Sequence, residues 1–252
     1  MAGSFTDEGI VLRRVNYGEA DRILTVLTRE HGKLGVIVRG VRKPGSRMAA
    51  QTDLFERSRM QLAEGRGELL VLAQAQRSSG PPAALAGDAR RAACAAVVAE
   101  LTDRVLEGGN PDAAVFLLVA EALDELGDPR RDPRRALVWF ARQMIDRLGY
   151  APELQRCVSC SGRLVEEAAA FSAAGGGLLC PACRPGDPGA IDCPVRVIKV
   201  LRVAAAGDAA TWARLRLDAD ALATLEAIIE SELEHHLDRR LRSWEVLRAL
   251  ER

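Results

Sequence analysis

The first eighty residues of this 252-residue chain repeat one pattern, short runs in which apolar and polar side chains alternate, each closed by a turn. The runs are "EGIVLRRV", "DRILTVLTRE", "KLGVIVRGVR", "LFERSRMQLA" and "GELLVLAQAQ". In the second, Ile23, Thr25 and Leu27 face one way and Leu24, Val26 and Thr28 the other, the period of two that marks a strand. The turn "REHGK" ahead of the third run carries Gly32 where a tight hairpin needs a positive φ. Five strands in about seventy residues suit a small closed barrel, because closure leaves no unpaired sheet edge. The OB-fold is the commonest five-stranded form. An open five-stranded sheet is the alternative.

The pattern changes after "SSGPP" (Ser78 to Pro82), where the chain becomes rich in alanine and leucine at helical spacing. "DARRAACAAVVAELTDRVLEGG" is a first helix, and "NPDAAVFLLVAEALDELGD" a second with Asn110 as N-cap and Pro111 at the first helical position. "DPRRALVWFARQMIDRLGY" is a third. An interruption follows, and then "PVRVIKVLRVAA" and the long "DADALATLEAIIESELEHHLDRRLRSWEVLRAL" resume the helical period. The expected organisation is α+β and multidomain: a barrel over residues 1–80, then an α-helical domain over 81–252 with an insert at about 153–190.

Composition narrows the function without naming it. Lys and Arg together number 35 and Asp and Glu 35, so no whole-molecule field draws in nucleic acid or an anionic membrane. Any such binding needs a local patch. No segment approaches the roughly 18 uncharged apolar residues of a membrane span, and the first residues lack the basic and apolar blocks of a secretion signal. The chain reads as cytoplasmic, with no membrane partner, where its six cysteines stay reduced.

Four of those cysteines form the most specific signal in the chain. Cys157-x2-Cys160 and Cys180-x2-Cys183 stand nineteen residues apart, within the spacing of a four-thiolate zinc site. The segment between them can form a hairpin with Gly175 to Gly177 at its tip, returning the second pair to the first. Four thiolates leave no open position for water, so a zinc ion there is structural and not catalytic. Incidental cysteines or a redox pair are the alternatives. Cys94, among alanines, reads as a small buried hydrophobe, and Cys193 lies just outside the insert.

Positive charge is concentrated in one place. Arg29, Lys33, Arg39, Arg42, Lys43 and Arg47 face only Glu30 over nineteen residues of strand and loop. The spacing from Gly40 to Gly45 superficially matches a nucleotide-binding P-loop, but Ser46 and Arg47 stand where Lys and Ser or Thr are required, and Pro44 removes an amide from the cradle. No nucleotide is expected. Such a patch on a small barrel is how OB-folds present charge to a nucleic-acid backbone, single- or double-stranded; a solvated hairpin is the bland reading. Phe5, Tyr17 and Phe55 are the only aromatics nearby, which argues for backbone contact over base stacking. His31, His235 and His236 form no visible catalytic group.

The parts in this order resemble the RecO family of bacterial DNA repair proteins. The likeness rests on "GIVLRRVNYGEADRILTVLTREHGKLGVIVRGVRKPGSR", with its "GEAD", "EHGK" and "RG.RK" elements, and on "RLGYAPELQRCVSC" and "CPAC". It implies an N-terminal OB-fold, a helical domain carrying a zinc ribbon, one zinc ion, and no enzymatic activity. It also implies binding to single- and double-stranded DNA, annealing of complementary strands, association with the nucleoid, and help from the partner RecR in loading RecA onto DNA coated by single-strand-binding protein (SSB). The acidic, apolar C-terminal tail of SSB needs an apolar groove flanked by cations. The third helix offers Leu137, Phe140, Ile145 and Leu148 with Arg134, Arg135, Arg142 and Arg147, so Arg134, Arg135, Phe140 and Arg142 are the expected contacts; the alternative is that the apolar residues are bundle core and the arginines a solvated face. The rival to this reading is a protein-interaction adaptor built on the zinc ribbon, with an incidental basic loop.

Overall fold

A computed structural model describes residues 3–65, 67–79, 85–164, 168–237 and 240–250. Residues 80–84, within the boundary read at "SSGPP", lie outside the described residues. Strands are β1 (Ser4–Tyr17), β2 (Asp21–Thr28), β3 (Gly32–Val38), β4 (Arg57–Ala63), β5 (Leu70–Ser79), β6 (Ala169–Ser172), β7 (Gly177–Leu179) and β8 (Ile191–Cys193). Among the described residues the helices are α1 (Ala89–Val105), α2 (Ala113–Gly127), α3 (Pro133–Arg147), α4 (Val195–Ala205), α5 (Ala209–Arg214), α6 (Ala219–His236) and α7 (Arg242–Ala249). They form two compact units, residues 1–133 with 242–252, and residues 134–241.

In the first unit β1 to β5 close a barrel in the order β1-β2-β3-β5-β4, the closed form and not the open sheet. β1 makes closure possible because it is long enough to serve two neighbours. Its first half pairs with β4, from Ser4 opposite Ala63 to Ile10 opposite Arg57, and its second half with β2, from Gly9 opposite Thr28 to Tyr17 opposite Asp21. The register shifts between Val11 and Arg13, an irregularity of the kind that lets a strand bend around a barrel. Val11, Leu24, Val26, Val36, Val38, Met60, Leu62 and Leu72 fill the interior.

Helices α1, α2 and α7 belong to this same unit. The compact units therefore do not follow the change from strand to helix near residue 80. α1 packs on β1, whose Ile10 and Leu12 are buried beside the inward-facing Val11. Two expectations change here. The N-cap of α2 is Asp112 and not Asn110: its carboxylate accepts from the amides of Ala114 and Val115 at 2.9 and 3.0 Å. Asn110 instead lies against the β2–β3 turn. The long C-terminal helical pattern breaks between His236 and Arg242, and α7 returns to α1, burying Trp244 and Leu247. Glu100 of α1 accepts the Ser243 amide at 2.8 Å and its hydroxyl at 2.6 Å.

The second unit surrounds one core shared by helices and ribbon, with Val138 of α3, Phe171 of β6, Leu178 of β7, Val197 and Leu201 of α4, Trp212 of α5 and Leu225 of α6. The ribbon is a three-stranded sheet in the order β7-β6-β8.

Gly32 tests the join between barrel and helices. It has φ +72°, and a Cβ there would meet the Asn110 carbonyl oxygen at 2.5 Å, whereas Gly18, also left-handed at φ +54°, has open space. Gly18→Ala should cost about 1 kcal/mol in urea unfolding from backbone strain alone, and Gly32→Ala about 2 kcal/mol or more because the α1–α2 connection must also move. Equal losses would show that the turn does not press on Asn110.

Candidate nucleic-acid interface and metal centre

The loop after β3 is held at fixed points while its cations stay outside. The Gly40 amide donates to Asp21 Oδ1 at 2.7 Å and the Arg42 amide to the Ala20 carbonyl at 2.9 Å, fastening the loop to the β1–β2 hairpin. Val41 is buried in the barrel core, with Met48 and Ala49 packed beside it. Gly40 and Gly45 turn the chain at φ +65° and +80°. Arg39, Arg42, Lys43 and Arg47 are all exposed, and no acidic partner meets them among the described residues. The Arg42 guanidinium donates only to the Gly18 carbonyl, at 3.2 Å.

Two more cations are expected with this patch. Arg29 is exposed at the end of β2. Lys33 is paired within the unit: its ammonium donates to the Asp103 carbonyl at 2.5 Å and carboxylate at 3.1 Å, and its own carbonyl accepts from the Gly109 amide at 3.1 Å. An ammonium already paired inside the unit has an acid to leave before it can meet a phosphate. Asp21, which positions the loop, gives no sign of that duty in the sequence beyond its place in the "GEAD" element. Tyr17 and Val15 stand exposed beside it on β1.

In the second unit the four expected cysteines converge. The sulfurs of Cys157, Cys160, Cys180 and Cys183 lie within 4.8 Å of one another. Each pair sits on a tight turn: the Cys157 amide donates to Gly162 at 2.8 Å, Ser161 takes φ +61°, and the Cys183 amide donates to Cys180 at 3.0 Å. The Cys160 and Cys180 sulfurs are 3.9 Å apart. That is far beyond the about 2.05 Å of a disulfide and near the roughly 3.8 Å edge of a tetrahedron with metal–sulfur bonds of about 2.3 Å.

Electrostatics at the cluster favour a cation. Burial pushes Cys157 up, but the amides of Cys160, Cys180 and Ser159 outweigh it and bring the thiol down to about 6. The Ser159 hydroxyl lowers Cys183, yet the neighbouring sulfurs of Cys180, Cys160 and Cys157 lift it to about 12. One thiol ionises readily and the cluster then resists further negative charge, a conflict that a bound metal ion removes. Cys193, pushed up to about 12 by burial, lies outside the cluster and donates to the Ile191 carbonyl.

The residues of the expected groove on α3 are buried or held by internal partners. Phe140 is buried, and Arg142, 1% exposed, donates to both Glu232 oxygens at 2.8 and 2.6 Å and to Asp146 at 2.7 Å. Arg134 meets Glu226 at 2.8 and 2.5 Å. Arg135 donates to the carbonyls of Leu215 and Trp212 and lies over the Trp212 ring. These arginines tie α3 to its neighbours, because a guanidinium fork can satisfy several buried acceptors at once.

A closed five-stranded barrel of OB order, joined to helices and a four-cysteine ribbon, defines the class of this protein. The family follows from comparison of the sequence. The model described as "Recombination protein O N terminal" matches residues 1–80, and "Recombination protein O C terminal" matches 86–245. "DNA repair protein RecO" of Bacillus subtilis is 33% identical over 251 residues, covering 97% of this chain and 94% of its own. Its counterpart from Moorella thermoacetica is 36% identical over 256 residues, 96% of this chain and 90% of its own, and that of Symbiobacterium thermophilum 33% over 245, 96% of each. The chain belongs to the recombination protein O family of DNA repair proteins.

Two outcomes follow for this unit. Elemental analysis of metal-replete protein should find one ion per chain, lost when Cys157→Ser and Cys180→Ser are combined; full retention in that variant would place the metal elsewhere. Burial raises Glu232 to about 6 from an ordinary 4.5, with Arg142 pulling it down and Asp146 pushing it up. The folded state thus holds this proton more tightly than the unfolded chain. Its contribution is full below pH 4.5 and lost as pH rises through about 6. Unfolding midpoints should decline over that window in the parent and flatten in Glu232→Gln.

Proposed function

We propose that the protein is a non-catalytic recombination mediator that binds single- and double-stranded DNA through the loop from Arg39 to Arg47. One observation carries this reading: four exposed cations on a loop fastened to a closed barrel, in a chain with no net charge. A run of such charges matches the evenly spaced phosphates of a nucleic-acid backbone, which supply affinity without sequence preference. Arg29 extends the same interface. The names of the relatives, DNA repair proteins, support the same conclusion.

On this reading the protein anneals complementary strands. Contacts to the backbone leave the pairing edges of the bases free to meet. With RecR it helps RecA load onto DNA coated by SSB, whose acidic tail is a further partner received away from the inward face of α3. The metal is zinc, which suits four thiolates in tetrahedral arrangement; with every position filled by sulfur it shapes the ribbon and performs no chemistry.

Fluorescence anisotropy with labelled single- and double-stranded oligonucleotides over a range of salt tests the claim. The combined Arg39→Ala, Arg42→Ala, Lys43→Ala, Arg47→Ala variant should bind both forms more weakly, and its salt slope should fall by up to about 0.9 for each phosphate it no longer neutralises. If that variant binds as the parent does, the loop is incidental and the adaptor reading stands in its place.

A further inference from the structure

The outer face of the barrel carries an apolar stripe that the basic loop does not explain. Val15 lies opposite Ile23, Ile23 opposite Ile37, and Ile37 beside Val71, so one row crosses β1, β2, β3 and β5. Leu24 and Val36, their chain neighbours, point into the core, and alternation therefore turns Ile23 and Ile37 outward. Tyr17, opposite Asp21, ends the row on the same face. Its side chain is 55% exposed and Val15 is 47% exposed, both among the most exposed large apolar residues described.

The surroundings say what would cover this face. The hairpin tip that bears Tyr17 is the one to which the basic loop is fastened, and the Arg42 guanidinium reaches the Gly18 carbonyl beside it. The nearby acids are Glu19, exposed, and Asp21, whose carboxylate already accepts the Gly40 amide. Cations on a rim next to an exposed aromatic ring suit a ligand with phosphates along one side and flat π faces along the other. Single-stranded DNA has that form, whereas a duplex keeps its base faces stacked inside.

We propose that Tyr17 is a stacking platform for an unpaired base of single-stranded DNA, with Val15 and Ile23 extending the surface and the 39–47 loop holding the adjoining phosphates. This rests on the DNA-binding function proposed above and adds a preference: the same loop meets either form of DNA, but Tyr17 rewards only the single strand. The hairpin tip is open, so the ring can be removed without disturbing the barrel.

The test measures anisotropy with a labelled oligothymidine, the same backbone with abasic sites, and a duplex. Tyr17→Ala should weaken oligothymidine binding about fivefold or more while duplex binding stays within about twofold and the salt slope is unchanged. Tyr17→Phe, which keeps the ring, should bind like the parent. The abasic strand should bind the parent and Tyr17→Ala alike, since the partner of the ring is gone. If Tyr17→Ala binds oligothymidine as the parent does while the four-alanine loop variant does not, the stacking proposal fails and the DNA-binding reading survives. Equal loss on single strand and duplex also overturns stacking. If the parent binds no oligonucleotide, both fall together.

Discussion

Pairing of β1, β2 and β3 within the closed barrel is the constraint on which the candidate interface depends. A five-stranded sheet left open would expose two edges, and its loops would be spread along a ribbon. Because β2 begins at the hairpin from Tyr17 to Asp21 and pairs with β3 as far as Arg22 opposite Val38, that hairpin and the loop after β3 are brought to one rim. There the Asp21 carboxylate and the Ala20 carbonyl take the amides of Gly40 and Arg42. The positively charged loop is thus ordered by its backbone, and its side chains are left for something else.

The balance of 35 cations and 35 acids hides a division of labour. Many guanidinium groups are internal ties. Arg91, nearly buried, donates to the carbonyls of Leu126, Asp128, Pro129 and Arg131, satisfying the acceptors that the end of α2 leaves without helical partners. Arg142 links α3 to α6 through Glu232, and Arg202 of α4 holds the Leu154 carbonyl. A buried cation of this kind is kept because removing either partner leaves an uncompensated charge or acceptor. The loop from Arg39 to Arg47 differs: among the described residues none of its cations meets an acid, and Arg42 reaches one carbonyl while staying exposed, which is why a chain of zero net charge still has a local field to offer a polyanion.

The ribbon solves a different problem. A three-stranded sheet this small has little core of its own, and Phe171 and Leu178 must share that of the helices while four polarisable sulfurs gather at one end. Gathering thiols is unfavourable once one ionises, and a single bound ion would convert that repulsion into a cross-link between two turns. An ion held there would also fix the ribbon relative to α4, since Cys157 packs in the core that contains Val197 and Leu201.

Much of this was legible in the residues. Period-two alternation, the glycine at position 32 and the spacing of the two cysteine pairs are local signals, each set by a few neighbouring residues, and they determined the five strands, the hairpin turn and the clustering of four cysteines. The cap of α2 was misplaced by two residues because Asn110 and Asp112 are both good caps, and only the approach of the β2–β3 turn excludes the first. The break before α7 carries no glycine or proline; it follows from the burial of Trp244 against α1, a contact between residues more than a hundred apart in the chain. Likewise a lysine or arginine looks the same in sequence whether free or paired. Tertiary structure alone decided that Lys33 answers Asp103 and that Arg142 answers Glu232, because burial and the distance to an opposite charge are properties of the folded chain and not of its neighbours in sequence.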